Sequence, residues 1–232
     1  MQLHWCIILI LCITTYQTAV AQQTADKAAN SKTKSILSLI ASMPQKGLND
    51  DFHDFRFKHL VFLFIQLGKV LSGQFAGYSP DTFSNSIMDE TKRNTGKTPA
   101  IMACDWSCGW NTRSPPESII DYSCNSGLKA HWNKGGLVTV NMHLPNPANS
   151  NGGGYKERGS LNFRDLLDGN TQTGQRWYRF LDRMALGLDD LQRAGVTVLF
   201  RPLHEMNGDW FYWCNQVENR LDSYILNTVK RF

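Results

Sequence analysis

The sequence predicts an α/β fold built on parallel strands, and three observations predict it. Four short apolar runs, at Val70–Leu71, Pro99–Cys104, Leu137–Val140 and Val196–Phe200, are bounded by turn signals, as strands buried on both faces are. Each run opens into polar or aromatic residues rather than into more apolar sequence. Between the third and fourth runs, Trp177, Phe180, Leu181, Met184, Leu188 and Leu191 fall on one helical stripe. Strands alternating with helices in this way argue for right-handed crossovers and a parallel sheet.

Composition narrows the class further. The chain has 232 residues, of which 42% are hydrophobic and 19% charged, with Gly 18 and Pro 8. That excludes a disordered, collagen-like or low-complexity protein and fits one globular domain or two small ones. The 24 Lys+Arg against 20 Asp+Glu give +4 without a dense basic run, which speaks against a nucleic-acid partner.

The elements follow in order. Residues 1–21 hold no Asp, Glu, Lys or Arg, and the apolar run Trp5–Ile13 is far shorter than the roughly 20 residues of a membrane span. Ala19-Val20-Ala21 then supplies a small-x-small cleavage pattern. The expected segment is a secretory signal cut near Ala21-Gln22, although its start lacks the usual Lys or Arg, and the expected product is extracellular with no membrane span. Cys6 and Cys12 leave with the signal, and Cys104, Cys108, Cys124 and Cys214 remain. An even number in an oxidising compartment predicts one or two disulfides, with all pairings open. Only one pair is closely spaced and no His-x₃₋₅-His accompanies it, so no metal site is expected.

In the N-terminal segment 22–68, Ile36, Leu37, Leu39 and Ile40 predict a short helix ending at Pro44. Gln45–Gln66 mixes DDFHDF with the run LVFLFI and reads equally as a strand or a buried helix turn. Val70-Leu71 reads as the first strand, running into a Gly-bearing loop at Ser72–Phe75. The loop Asn149–Gly159, with three consecutive glycines, reads as long and flexible, and lacks the GKS/T ending of a phosphate-binding loop. Gly195 stops the long helix before the fourth run, and Leu221, Tyr224, Ile225 and Val229 suggest another helix after it.

The chemistry concentrates in Arg201–Trp213, RPLHEMNGDWFYW. In parallel α/β barrels the functional groups gather where strands end and βα loops begin. Glu205 lies five residues past Phe200, with His204 beside it, Asn207 two further on, and Trp210, Phe211, Tyr212 and Trp213 behind. Flat aromatic faces stack on pyranose rings, while amide and imidazole groups hydrogen-bond hydroxyls. A carboxylic acid partly shielded by such rings is suited to protonate a glycosidic oxygen. HEMNG lacks the second histidine of HExxH, so a zinc protease is not implied.

This segment closely resembles the acid/base strand of glycoside hydrolase family 26, the secreted β-mannanase family. Leu71–Phe75, Pro99–Trp106 and Val138–Pro147 resemble its first three strand ends, so the likeness runs in order over residues 69–232. The resemblance implies a (β/α)₈ barrel of the TIM type and a retaining endo-hydrolysis of β-1,4-mannan. It makes Glu205 the proton donor, gives His204 the role of orienting the nucleophile, and gives Trp210 that of stacking on sugar. It also makes His143 a sugar contact, with Asn146 near it, and offers Asn207, Trp106, Trp110 and Trp213 to the substrate. No cofactor is implied; the partner is a polysaccharide.

Two features depart from the family. No segment resembles its strand-seven nucleophile, since the only Glu after Glu205 is Glu218, in the expected last helix. Gln45–Gln66 does not fit the pattern ahead of the first strand and reads as an insertion, or as read-through of non-coding sequence. The four strand starts are spaced about 42 residues apart. Eight such units would need about 340 residues, so the chain is expected to hold about four units, and to be inactive alone. The neighbouring substrates of the family, β-1,3-xylan and mixed-linkage β-glucan, remain alternatives, as does a non-catalytic carbohydrate-binding fragment.

Overall fold

The structure, a computed structural model, describes residues 7–9, 29–42, 71–158 and 161–214. The segment Gln45–Gln66 and the expected last helix, which includes Glu218, Leu221 and Val229, lie outside the described residues.

In chain order the elements are β1 (Ile7–Leu9), α1 (Ser31–Ser42), β2 (Gly73–Tyr78), α2 (Ser86–Thr95), β3 (Ile101–Cys108), α3 (Asn125–Asn133), β4 (Leu137–His143), α4 (Gln172–Arg193) and β5 (Val198–Arg201). The strands form one sheet in the order β1-β5-β4-β3-β2, and every pairing is parallel. From β2 to β5 spatial order follows chain order, with α2, α3 and α4 as crossovers, which is the layout of consecutive units of a β/α barrel.

Each element has a local cause. In α4 the six stripe residues are all buried, Leu191 and Phe180 completely, so the predicted face is the one against the sheet. Thr171 caps its start by accepting from the Gly174 amide at 2.9 Å. Gly195, at φ 72, turns the chain out of the helix toward β5. α3 is tied to α4 by the Asn125 amide, which donates to the Gly187 carbonyl at 2.9 Å, and by the Lys129–Asp190 pair at 2.6 Å. Gly187 leaves room for the Trp106 ring, whose Cη2 would lie 2.7 Å from a Cβ at that position.

Three expectations change. The first strand is Gly73–Tyr78, so Ser72–Phe75 belongs mostly to the strand and not to a loop after it. This is an edge of the sheet with only Ala76 and Gly77 buried, so no long apolar run marks it. The glycine loop is held at many points. Gly152, Gly153 and Gly154 all take positive φ, the Gly153 carbonyl accepts from the Asn146 amide at 2.8 Å, and Asn146 Nδ2 donates to the Glu157 carbonyl at 2.7 Å. The glycines serve a tight, crosslinked turn here, and only Gly tolerates that backbone freely. Finally, the open disulfide question resolves to Cys104–Cys124, with Cys108 and Cys214 both buried outside that bond.

The backbone of Ile7–Leu9 pairs with Val198–Phe200 on the outer edge of β5. Those three residues fall within the segment read as a signal. Among the described residues no helix is long and apolar enough to cross a membrane.

Candidate active site

Register brings the site together. Tyr78 pairs with Asp105, Asp105 with Asn141, and Asn141 with Arg201, so one row crosses the C-terminal ends of four strands. A shift between Asp105 and Cys108 then sets Cys108 opposite His143. Such irregularities re-aim side chains at strand ends.

Glu205 stands just beyond β5 with its carboxylate exposed. Its φ of 58 is the only positive value at a non-glycine residue among those described. A left-handed L-residue costs about 1–2 kcal/mol, so the surrounding contacts must hold it. The Gly208 amide donates to the Glu205 carbonyl at 2.9 Å, and the Cys214 thiol donates to the same oxygen at 3.2 Å. Trp210, itself 46% exposed, donates its indole N–H to Glu205 Oε2 at 2.7 Å. The carboxylate is thus steered from the side by the ring nearest to it.

Beneath Glu205 lies a chain of buried polar groups. Asp105 is fully buried; its Oδ1 accepts from the backbone amides of Ser107 and His143, each at 3.0 Å. Its Oδ2 meets His143 Nδ1 at 2.6 Å. His143 Nε2 faces His204 Nε2 at 3.3 Å. Burial, and then the neighbouring His143, push the His204 imidazolium down to about 4. His204 is therefore neutral at neutral pH.

Rings surround this chain. His143 is edge-on to Tyr78 at 5.5 Å, to Tyr155 at 5.9 Å and to Phe211 at 5.4 Å. Trp110, 45% exposed, closes on Tyr78 at 4.9 Å. Burial, reinforced by Asp105, pushes the Tyr78 phenol above its ordinary value, keeping it a neutral hydroxyl. The loops after β4 and β5 are stapled together. Arg158 donates to the carbonyls of Asp209 and Cys214, and the Tyr212 amide donates to the Tyr155 carbonyl at 3.0 Å.

The structure thus brings Glu205, His204, His143 and Trp210 together, while Asn207 is exposed on the turn after Glu205. Trp106 and Trp213 do not join them as ligand surfaces. Trp106 is fully buried, with Phe200 at 6.3 Å and Tyr122 at 6.1 Å. Trp213 is also fully buried, stacked under Phe211 at 4.4 Å, and its indole donates to the His204 carbonyl at 2.9 Å. It supports the backbone that carries Glu205. Asn146 is buried, and its side chain is spent on the glycine loop. Asp105, Tyr78 and Tyr155 were missed by the sequence reading. Asp105 directly follows an apolar run, as His143 and His204 follow theirs within a few residues, and that position was the available signal. Among the described residues no three His, Cys, Asp or Glu side chains converge to hold a metal ion.

A parallel sheet whose strand ends carry a steered glutamate, two linked histidines and exposed tryptophans has the layout of a site at the end of a β/α barrel. Residues 57–226 match the family described as glycosyl hydrolase family 26, and the chain belongs to it. The match opens inside the segment read as an insertion. A mannan endo-1,4-β-mannosidase A and B of Caldalkalibacillus mannanilyticus is 41% identical over 200 residues, 86% of this chain and 35% of that protein. A mannan endo-1,4-β-mannosidase of Bacillus subtilis is 36% identical over 203 residues, 88% of this chain and 51% of that one. The solved structure of a Bacillus subtilis mannanase superposes with a TM-score of 0.70 at 35% identity, covering 89% of this chain and 57% of that one. This bears out the expected barrel type. The chain spans about half or less of the length of these two curated relatives.

Proposed function

We propose that this chain carries the acid/base site of an exported, retaining endo-hydrolase of β-1,4-mannan. The observation that carries the reading is Glu205 at the end of β5, exposed, with Oε2 held by the Trp210 indole at 2.7 Å. That bond leaves Oε1 to carry the proton, and the exposed Trp210 face is set to stack on the sugar beside the scissile bond. The relatives' activity on mannan supports the substrate.

Retention requires a second carboxylate about 5–5.5 Å away. As that carboxylate bonds to the anomeric carbon, the glycosidic C–O bond breaks and Glu205 gives its proton to the departing oxygen. Glu205, now a carboxylate, takes a proton from water, whose oxygen displaces the nucleophile from the anomeric carbon. No segment of residues 1–232 resembles that nucleophile.

The test is product release from galactomannan, β-1,3-xylan and mixed-linkage β-glucan. Residues 22–232 alone are expected to give no turnover. A protein that also carries the second carboxylate is expected to release manno-oligosaccharides, and Glu205→Ala to slow this by about 10²–10⁴-fold. Preferred cleavage of xylan or glucan, or an undiminished Glu205→Ala rate, would sink the reading. For export, the secreted protein should begin at Gln22; a cell-retained protein with residues 1–21 intact would overturn it.

A further inference from the structure

The buried Asp105–His143–His204 chain lies off the path of the proton described above, yet its polarity is fixed by its own geometry. A carboxylate only accepts, so the 2.6 Å contact requires the proton of His143 to sit on Nδ1. Between the two Nε2 atoms, 3.3 Å apart, one nitrogen must then donate. If His143 is neutral its Nε2 is a lone pair, and His204 Nε2 carries the hydrogen. His204 Nδ1 is then a lone pair. If His143 were doubly protonated the order would reverse, and His204 Nδ1 would carry an N–H. His204 Nδ1 is buried and has no partner among the described residues, in a side chain of which only 9% of the residue is exposed. A buried N–H without a partner is rarer than an acceptor without one, which selects the first order.

We propose that Asp105 is a positioning residue of this site. It fixes His143 in the Nδ1–H tautomer and, through it, His204 in the Nε2–H tautomer, leaving His204 Nδ1 as a hydrogen-bond acceptor. That nitrogen is enclosed, so its lone pair is turned into the protein and not toward a ligand. That the ordered pair supports a sugar-cleaving glutamate rests on the function proposed above.

The geometry also names the substitution that breaks the device. Asp105 Oδ1 already accepts two backbone N–H groups, from Ser107 and His143. In Asp105→Asn the amide oxygen must take that place, so the NH₂ faces His143 Nδ1 and a donor replaces an acceptor. His143 must then protonate Nε2, and His204 must carry its proton on Nδ1. The substitution should invert both rings without removing either.

Histidine ¹⁵N NMR of the full chain at neutral pH reads the tautomers directly, with signals assigned by their loss in His143→Gln and His204→Gln. The expected wild-type pattern is protonated Nδ1 on His143 and protonated Nε2 on His204, and the expected Asp105→Asn pattern is the reverse on both. A wild-type His204 protonated on Nδ1 would overturn the proposal without any variant. So would an Asp105→Asn protein, folded by its amide spectrum, with the His204 tautomer unchanged. No turnover enters this readout. Loss of the mannan reading with these tautomers intact, and inverted tautomers with mannan cleavage intact, are therefore distinguishable results.

Discussion

At Glu205 the backbone and the side chain make opposite demands. Its φ of 58 suits glycine, while the carboxylate steered by Trp210 requires a glutamate. Strain kept at such a position is offset by the contacts around it. With the carboxylate removed, the backbone term stands alone. Glu205→Gly is therefore expected to be more stable than Glu205→Ala by about 1–2 kcal/mol in urea unfolding, and equal stabilities would show that no strain is held there. His204 gives a second residue-level expectation. Its imidazole ordinarily titrates near 6.5, whereas burial first, and then His143, bring it to about 4 in the folded chain. Between those values the unfolded chain binds a proton that the folded chain refuses. This contribution is complete above about pH 6.5 and is lost as pH falls toward about 4, by roughly 3 kcal/mol in full. Unfolding midpoints measured across that window should fall more steeply for wild type than for His204→Gln; parallel curves would contradict the assignment. Glu205, His204 and Trp210 were legible because they are close in sequence and carry the chemistry in their types. Asp105 was not, because its role depends on a register between β3 and β4 that no single strand displays. Trp106 and Trp213 were misjudged because an aromatic residue after a strand looks the same whether it faces a ligand or the core.

At the level of elements, legibility followed burial. The α4 stripe was readable because a helix buried along one face repeats its apolar residues at a fixed period. β3, β4 and β5 were readable because strands inside a parallel sheet are apolar on both faces. β2 lies at the sheet edge, and its strand was placed too early, at Val70-Leu71. Its inward contacts are made by Ala76 and by Gly77, where a Cβ would lie 2.4 Å from the Thr82 carbonyl oxygen. Small residues chosen for close approach leave no hydrophobic trace. Gly187 shows the same economy inside α4. Replacing a helical glycine by alanine ordinarily gains about 0.5–1 kcal/mol. Here the added methyl would meet the Trp106 ring at 2.7 Å and Tyr122 Cβ at 3.1 Å, so one of these rigid neighbours must move. Overpacking of this kind costs about 1–3 kcal/mol. Gly187→Ala is thus expected to destabilise the protein in spite of its better helix propensity, and a stabilised variant would mean that α4 does not press on Trp106 as described.

At the scale of the molecule, two long-range ties decide how the sheet holds its shape. One is the outer edge of β5, paired by the backbone of Ile7–Leu9. Cleavage at Ala21-Gln22 would remove that strand, so in any one molecule these residues serve either as signal or as edge. The other tie is the Cys104–Cys124 disulfide, which joins the middle of β3 to the start of α3 across 20 residues of sequence. Both cysteines are buried in the core, so the bond fastens the loop after β3 directly to it. It also fixes the chain immediately before Asp105, on which the histidine pair depends. By loop-closure entropy, a crosslink of this span stabilises by roughly 3 kcal/mol, acting mainly on the unfolded chain. Cys108 is a poor substitute for either partner. It is a buried free thiol, and burial, followed by the hydrogen bond to Asp81, pushes it up to about 12. The thiolate needed for disulfide exchange is therefore scarce at Cys108. The double substitution Cys104→Ala/Cys124→Ala should lower unfolding free energy by about that amount under oxidising conditions. Under reducing conditions, the wild type should fall toward the same value. An oxidised wild type no more stable than the double variant would mean that the crosslink contributes nothing to the fold, and the link from an oxidising compartment to a well-held site would fail with it.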